Sequence, residues 1–380
     1  MAVGLRDVAQ RTGVSVSTAS RALRGSKRVS AATQAKVRAA AEALGYRPNA
    51  SARVLRTARS EFIGLVVTNL VNTSFHTIAE VVQRELARHG YQLMLTVTAG
   101  DPAAERAALR TLAEHTAAGV IVVGSDGAAS EELRALRMPT VHLARRPSHP
   151  AGDCVLGDDI TGGRLAAEHL LGLGHRRIAI IAGPASVQSG RERMAGYWLG
   201  LRAAGIEPDE ALAMATAQSP DAGADAIAAL TGLPARRRPT ALIIANHEAG
   251  YGALPALRER SVAVPAELSV VCYEDSPLAR WWHPAMTVID NNARQMGELA
   301  AQLLLKRLAP DDRAGGEEFS EFRVGARLVE RDSCRALSAT RPLLVVDADG
   351  SQLVGEAEQF PAQQRDRHVA VDPDRVVQLA

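Results

Sequence analysis

The chain has 380 residues, 47% hydrophobic and 23% charged, a composition ordinary for a globular protein of two or three domains. No apolar run approaches the roughly 18 residues that a membrane span requires, and residues 1–10 lack the apolar stretch of a signal peptide. The cysteines, Cys154, Cys272 and Cys334, are far apart, which disfavours a disulfide framework or a structural zinc site. We therefore expect a cytoplasmic protein with no metal, no cofactor and no membrane partner.

The net charge of +2 hides two segments of opposite sign. Residues 1–60 contain twelve Lys and Arg residues and two acidic residues, a net charge of +10. The remaining 61–380 contain 32 basic and 40 acidic residues, a net charge of −8. A basic head on an acidic body indicates that the head alone binds a polyanion, although charge by itself does not say which one.

Three short helices are predicted in the basic head. They cover residues 5–12, 16–24 and 31–44, and Gly13 and Gly45 end the first and the third. Two helices joined by a tight turn and closed by a third form a helix-turn-helix.

The second of these helices has the composition of a DNA-reading helix. We expect Val16, Ala19 and Leu23 to face the core of the head. Short hydroxyls and arginines then lie on or around the opposite face, where such side chains contact phosphates and guanine edges in a major groove: Ser15, Ser17, Thr18, Ser20, Arg21 and Arg24. A solvated helix face is the plain alternative, which the +10 charge of the head disfavours.

Four short motifs in the head resemble the DNA-binding domain of LacI/GalR family regulators. They are LRDVA at 5–9, GVSVSTASR at 13–21, VS at 29–30 and GYRPN at 45–49. The resemblance implies base contacts from Val16, Ser17 and Arg21. It implies phosphate or positioning contacts from a larger set: Leu5, Ser15, Ser20, Arg24, Ser30, Thr33 and Asn49.

The resemblance also implies a hinge helix within the linker 47–59. Pro48 suits the first turn of a helix, and a helix this short is marginal unless something docks it. In the family such helices fold in the operator's minor groove, where the leucine matching Leu55 wedges between central base pairs, with Arg53 and Arg56 beside it. A plain flexible linker is the alternative.

From residue 62 onward, apolar strands alternate with amphipathic helices, which predicts parallel sheets covered on both faces. The predicted strands fall into two series: 62–67, 91–97, 119–123, 140–143 and 154–156, then 177–182, 212–217, 240–245, 268–273 and 286–289. The clearest helices between them are 78–89, 163–173, 191–204 and 294–308. Two tandem series indicate two similar lobes, with a ligand at the carboxyl ends of the strands.

The family resemblance gives the body a fold like that of periplasmic sugar-binding proteins and divides the chain accordingly. The helix-turn-helix head is 1–46, the hinge 47–59, the two-lobed effector-binding and dimerisation domain 60–333, and an unassigned tail 334–380. Lobe 1 is expected at 60–159 and 291–321, and lobe 2 at 160–290 and 322–333. The chain would cross between them near 158–160, 289–292 and 321–324.

Six residues are candidates for an effector pocket. Arg191 lies at the start of a predicted helix, where a fixed guanidinium suits hydroxyls or a carboxylate, whereas Arg193 fits an exposed helix position better. Trp281, like its neighbour Trp282, suits either stacking on a sugar or a packed core. The resemblance adds positions that match the family's pocket: Ser74, Phe75, Asn246 and Glu274.

The pocket departs from the family pattern in ways that leave the effector open. An acid usual after the fourth strand is replaced by Ala144, and the usual Asn-Asp is Asn246-His247. We favour a sugar, with a purine or another small metabolite as the alternative. The sequence thus predicts a homodimeric repressor that binds a double-stranded DNA operator under the control of this effector.

Two readings from other classes fit the sequence less well. No G-x-S-x-G, H-E-x-x-H or Walker motif is present, so an enzyme on the same fold lacks a catalytic constellation. A sugar-binding transport protein conflicts with the basic head. In the tail, residues 343–346 could form a strand and 347–350 a turn, and the tail has no leucine heptad for tetramer formation.

Overall fold

The computed structural model describes residues 3–23, 25–26, 28–46, 60–124, 128–309, 318–337, 343–346 and 352–355. Arg24 and the whole predicted hinge, 47–59, lie outside these residues.

The head contains the three predicted helices: α1 (Leu5–Thr12), α2 (Val16–Leu23) and α3 (Ala31–Ala43). The turn after α1 is made by Gly13 at φ 68°, a left-handed conformation that glycine adopts without strain. Small and branched apolar side chains from all three helices form the core, among them Val8, Ala19 and Val37. The predicted core position of Val16 is wrong, because Ala22 and not Val16 completes the buried stripe of α2.

In the described residues, the first half of the body contains thirteen α-helices and β-strands. They are β1 (Phe62–Val67), α4 (Thr73–Ala87), β2 (Gln92–Val97), α5 (Pro102–Glu114), β3 (Gly119–Val122), α6 (Ala128–Leu136), β4 (Thr140–Leu143), β5 (Asp153–Gly157), α7 (Asp159–Gly172), β6 (Ile178–Ala182), α8 (Gln188–Ala203), β7 (Ala213–Ala215) and α9 (Pro220–Gly232). Strands β1 to β5 belong to lobe 1, and β6 and β7 belong to lobe 2.

The remaining elements complete the second lobe, return to the first and end in the tail. They are β8 (Ala241–Ile244), α10 (His247–Glu259), β9 (Ser269–Tyr273), α11 (Pro277–Trp281), β10 (Thr287–Asp290), α12 (Ala293–Leu308), β11 (Glu321–Val324), β12 (Arg327–Val329), β13 (Leu343–Val346) and β14 (Gln352–Gly355).

The strands of the body form two six-stranded sheets. Lobe 1 has the order β11-β5-β4-β3-β1-β2, and lobe 2 has the order β12-β10-β9-β8-β6-β7. Adjacent strands run parallel from β1 through β3, β4 and β5 to β11, and from β7 through β6, β8 and β9 to β10. Strand β12 is antiparallel to β10. The central strands are buried along their whole length, which is why their sequences are continuous apolar runs.

The boundary between the lobes differs from the predicted one at its last crossing. Residues Glu321–Val324 pair with β5 in lobe 1, and Arg327–Val329 pair with β10 in lobe 2. The chain therefore crosses just after Val324, at the end of the predicted crossing region 321–324 and three residues beyond the predicted limit of lobe 1. The other limits of the predicted domains stay predictions.

Helices α7 and α8 lie unusually close together because a glycine on each helix faces the backbone of the other helix. A Cβ atom at Gly163 would collide with the carbonyl oxygen of Arg193, and one at Gly196 with that of Ile160. This close contact brings the start of α7 and the first turns of α8 side by side, where it positions two charged side chains of the site.

In the tail, the predicted strand 343–346 is present as β13, which pairs antiparallel with β14. The predicted turn 347–350 lies outside the described residues. Among the helices of the described part of the chain, none combines the length and hydropathy needed to span a membrane.

Candidate DNA-binding surface and effector cleft

One face of α2 is polar and exposed, in agreement with the residues predicted to read DNA. Ser15, Ser17 and Arg21 are exposed, and Val16 is 43% exposed, so all four side chains are accessible to a ligand. The Ser15 hydroxyl also accepts a hydrogen bond from Thr18 N at 3.1 Å, so it caps α2 as well as facing outward. The exposure of Val16, which contradicts its predicted core position, suits its other predicted role as a base contact.

The remaining predicted DNA contacts divide into three groups. Ser30 caps α3 by accepting from Thr33 N at 3.3 Å, and Ser20 is half-buried. Leu5, the first residue of α1, packs partly against the head core. The other predicted contacts lie outside the described residues: Arg24, Asn49, Arg53, Leu55 and Arg56.

A pocket of about 60 Å³, called the inner pocket here, lies where α4, α7, α8 and α10 begin and both lobes meet. Its lining comes from lobe 1 and lobe 2 together and includes Ser74, Phe75, Arg145, Asp159, Arg193, Gln218, Asn246, His247, Glu248 and Glu274. Four of the predicted effector residues, Ser74, Phe75, Asn246 and Glu274, line this one pocket, and their contact with an effector stays a prediction. Helix starts converge here because the carboxyl ends of parallel strands meet at one edge of each sheet.

Arg193, not Arg191, supplies the guanidinium of the inner pocket. Its Nε donates to Asp159 Oδ1 at 2.7 Å and its Nη1 to the carbonyl oxygen of Ala245 at 2.6 Å. The guanidinium lies over the ring of Tyr273, 4.4 Å from the centroid. Burial raises the pKa of Asp159, and the Arg193 cation opposes that shift. The prediction that Arg193 is an exposed helix arginine is wrong.

Glu274 is the acidic counterpart in the inner pocket. It has φ 74° and is buried, with 6% of its surface exposed. Its Oε1 accepts from Asn72 Nδ2 at 3.3 Å, and its Oε2 lies 3.5 Å from His247 Nδ1. Within the described residues Oε2 accepts no hydrogen bond, and a buried carboxylate oxygen in that state favours a donor from a ligand.

Several hydrogen bonds join the two lobes across the cleft. Asn69 Nδ2 donates to Glu248 Oε1 at 2.7 Å, and Arg145 Nη2 to Gln218 Oε1 at 3.1 Å. Arg323 Nη1 donates to Glu192 Oε2 at 2.7 Å. The inner pocket is too small for a monosaccharide, since ligand pockets usually measure about 300–1,000 Å³. A monosaccharide would fit in the inner pocket only if some of these bonds open.

A second, larger cavity of about 1280 Å³, called the outer chamber here, shares Arg145, Gln218 and Glu248 with the inner pocket. Arg191 lines this chamber. It is exposed, and its Nη1 donates to the carbonyl oxygens of Ala185 and Ser186, both at 2.8 Å. Arg191 and Glu274 therefore line neighbouring cavities and not one pocket, and that they bracket one effector stays a prediction.

Trp281 contributes to neither cavity. Its side chain is 78% exposed on the short helix α11, so the predicted stacking on a cleft ligand is not supported. Trp282 instead lines an apolar cavity of about 130 Å³ behind Glu274. Within the described ranges, no three His, Cys, Asp or Glu side chains are grouped as a metal site would require.

A helix-turn-helix head and a body of two α/β lobes around a polar cleft define a ligand-responsive DNA-binding regulator. Sequence comparison agrees with this class: residues 4–49 match "Bacterial regulatory proteins, lacI family", and residues 167–334 match "Periplasmic binding protein-like domain". The chain belongs to the LacI family.

Similar proteins in this family cover nearly the whole chain. The chain is 31% identical to the HTH-type transcriptional repressor PurR of Vibrio atlanticus (strain LGP32), over 88% of this chain and 99% of the relative. It is also 31% identical to the ribose operon repressor of Escherichia coli (strain K12), over 80% and 92% of the two chains.

Solved structures show the same architecture. The Lac repressor dimer bound to operator and the anti-inducer ONPF is 28% identical, with a TM-score of 0.74 over 88% of this chain and 100% of that one. The complex of the transcriptional regulator CelR with cellobiose is 30% identical, with a TM-score of 0.65 over 87% and 99%. The chain is thus a LacI-family DNA-binding repressor and not an enzyme.

Proposed function

We propose that the chain acts as a homodimer that binds a pseudo-palindromic operator and responds to a small polyhydroxylated effector, a sugar or a sugar derivative. The observation that carries the effector site is Glu274. Its carboxylate is buried in lobe 2, is bonded by Asn72 of lobe 1, and keeps one oxygen without a hydrogen-bond donor in the described structure.

In the head, we assign base reading to the exposed residues Val16, Ser17 and Arg21 of α2. An arginine fork pairs well with a guanine edge, and short side chains allow the helix to approach the groove. Ser15, Ser30 and Thr33 lie at helix starts, where hydroxyls and N–H groups bind phosphates. The predicted hinge contacts at Arg53, Leu55 and Arg56 complete this interface.

The dimer is supported by an exposed apolar surface on lobe 1. Strand β2 is the edge of its sheet, and its Leu95 and Val97 are 40% and 47% exposed. Apolar side chains on a sheet edge are costly in a monomer and are normally covered by a partner. A similar solved structure, the Lac repressor, is a dimer.

The effector class follows from the mixture of donors and acceptors in the cleft. Glu274 accepts from ligand hydroxyls, the Asn246 side-chain amide donates, and Arg193 fixes the surrounding polar groups. Phe75 offers an apolar surface in the same pocket. Ribose and cellobiose stand in the names of two similar proteins, which supports a carbohydrate, whereas PurR gives the purine alternative.

Control of DNA binding follows from the position of the ligand between the lobes. A ligand that replaces the bonds Asn69–Glu248 and Asn72–Glu274 favours one relative orientation of the lobes over others. In a dimer, a change of lobe orientation alters the spacing of the two heads, which couples the cleft to operator affinity.

A thermal-shift screen of the full chain against neutral sugars, sugar derivatives and purines tests this proposal. We expect one carbohydrate class to raise the unfolding midpoint, and we expect Glu274→Gln to lose most of that rise. Glu207→Gln, which changes an exposed glutamate of lobe 2, is the matched control. A rise that only purines produce, or one that Glu274→Gln leaves intact, would contradict the proposed effector site.

A further inference from the structure

The outer chamber contains more arginine than its acids can neutralise. Its charged lining consists of four arginines and three glutamates: Arg145, Arg146, Arg191, Arg323, Glu192, Glu248 and Glu321. His142, which also lines it, is held neutral because burial lowers its pKa to about 4.

The three glutamates are already occupied by hydrogen bonds. Glu192 accepts from Arg323 at 2.7 Å and 3.0 Å and from Gln188 Nε2 at 2.7 Å. Glu321 is paired with Arg146 and Arg323. Glu248 accepts the Asn69 bond across the cleft. In the described residues, this leaves Arg145 and Arg191 as the two arginines of the chamber without a salt bridge, although the carboxylates of Glu248 and Glu105 lie near enough to Arg145 to act on its charge.

Arg145 is the more informative of the two because it is partly buried. It follows Ala144, which has φ 59°, a left-handed bend after β4. Across the described structure its guanidinium makes one side-chain hydrogen bond, to the neutral Gln218, so most of its five N–H donors are unused. Burial lowers the pKa of Arg145, and the nearby Glu248 and Glu105 only partly oppose that shift, so its poorly solvated cation still gains from a further negative charge.

The start of α8 adds a second feature that favours a negative charge. The N-cap residue of this 16-residue helix is Val187, which provides no side-chain hydrogen bond to the first turn. Ser186, Val187 and Gln188 line the chamber beside Arg191. Free N–H groups at a helix start carry partial positive charge and bind phosphate or carboxylate oxygens.

We propose that the effector carries an acidic group, a phosphate or a carboxylate, that binds in the outer chamber to Arg145, Arg191 and the start of α8. This inference rests on the proposed effector site and makes it more specific. The hydroxylated part of the ligand occupies the inner pocket beside Glu274, and the acidic part extends into the chamber. The chamber volume of about 1280 Å³ leaves ample room for the acidic part.

Matched pairs of ligands test the charge requirement on the full chain. Calorimetry compares glucose with glucose 6-phosphate and gluconate, and ribose with ribose 5-phosphate, so that phosphate and carboxylate are separate arms. We expect an acidic member to bind about ten- to a hundredfold more tightly than its neutral parent, which is the range of one or two charged hydrogen bonds. Arg145→Leu should reduce that ratio to about one, and Arg145→Lys should retain part of it.

Two controls keep the result independent of the ligand chosen. Inorganic phosphate, compared with chloride at equal ionic strength, should raise the unfolding midpoint of the wild type and raise it less in Arg145→Leu and Arg191→Leu. Arg164→Leu removes an exposed arginine of α7 that pairs with Glu168, and it should behave as the wild type.

The outcomes separate this inference from the proposed function. Equal binding of the neutral and acidic ligands of a pair, or a preference for the acidic ligand that survives Arg145→Leu, overturns the proposal of an acidic group on the effector. Sugar binding that depends on Glu274 would still support the proposed effector site in that case. Phosphate that stabilises no more than chloride also overturns the acidic group. Arg145-dependent phosphate binding without any sugar binding would support the anion site and contradict the carbohydrate class.

Discussion

The buried pair Arg193–Asp159 gives the sharpest test of how the cleft is built. The two side chains are 13% and 8% exposed, and their charged bond of 2.7 Å is supplemented by the bond from Arg193 to the Ala245 carbonyl oxygen. Arg193→Met keeps most of the side-chain volume but leaves Asp159 buried without its cation. Removing one partner of such a pair typically costs about 3–5 kcal/mol.

The double variant Arg193→Met/Asp159→Asn should recover much of this loss, because replacing both members of a buried pair removes the unpaired charge. A lower pH should also help the single variant. Burial raises the pKa of Asp159, so without Arg193 the carboxyl can be protonated in the folded state, and its penalty grows as pH rises above the unfolded pKa of about 3.9.

Urea unfolding followed by tryptophan fluorescence measures the loss of stability of Arg193→Met in lobe 2. All three tryptophans, Trp198, Trp281 and Trp282, lie in lobe 2 with the pair, so their signal reports that lobe and not the head. Arg164→Met, in an exposed i,i+4 pair on α7, is the control and should cost about 0.3–0.5 kcal/mol. A loss in Arg193→Met no larger than in this control, or no recovery in the double variant, would refute the reasoning.

Three further predictions concern the head, the first lobe and the tail. Deleting residues 1–58 should abolish DNA binding and leave the body folded. If the dimer makes about 6–10 phosphate contacts, the operator affinity of the full chain should fall roughly 10³–10⁵-fold between about 50 and 200 mM salt. Salt-sensitive DNA binding by the truncated body in an anisotropy titration would contradict this. In lobe 1, burial alone would raise the pKa of Asp153, but hydrogen bonds from Arg307 and Ser320 N hold it below its usual value. The stability of the chain should therefore decrease as pH falls through that lowered pKa. Urea midpoints should show that Asp153→Asn is less stable at neutral pH and that its stability depends less on acid. An unchanged acid sensitivity would count against the stabilising role of the Asp153–Arg307 pair. Deleting residues 339–380 should leave the dimer and its operator affinity intact, and monomers on gel filtration would show that the tail is part of the interface.

Most of the fold could be predicted from the sequence because parallel strands buried on both faces are continuous apolar runs. Strands β1 and β4 were predicted to the residue, and β6 and β9 to within one residue. Strands β11 and β12 were missed as strands. They are short, half-exposed and rich in arginine, and only their pairing with β5 and β10 defines them.

The site was predicted less well, since its geometry depends on packing between elements. Arg191 and Arg193 lie two positions apart on one helix and so point in different directions. A local signal for the correct choice existed: Arg193 precedes the buried Gly196 and Tyr197 by three and four residues, the spacing of one helix face. The contact of Gly163 and Gly196 that turns this face toward Asp159 is a tertiary feature, which the sequence does not display.

A ligand in the cleft should change the affinity of the head for its operator. The most direct measurement is an anisotropy titration of a palindromic duplex selected by the full chain, with and without the ligand that gives the largest thermal shift. We expect an affinity change of about 5- to 150-fold, the usual range of allosteric coupling, and a ligand response that is lost in Glu274→Gln. An affinity that is the same with and without the bound ligand, or a Glu274→Gln variant that responds as the wild type does, would contradict this expectation.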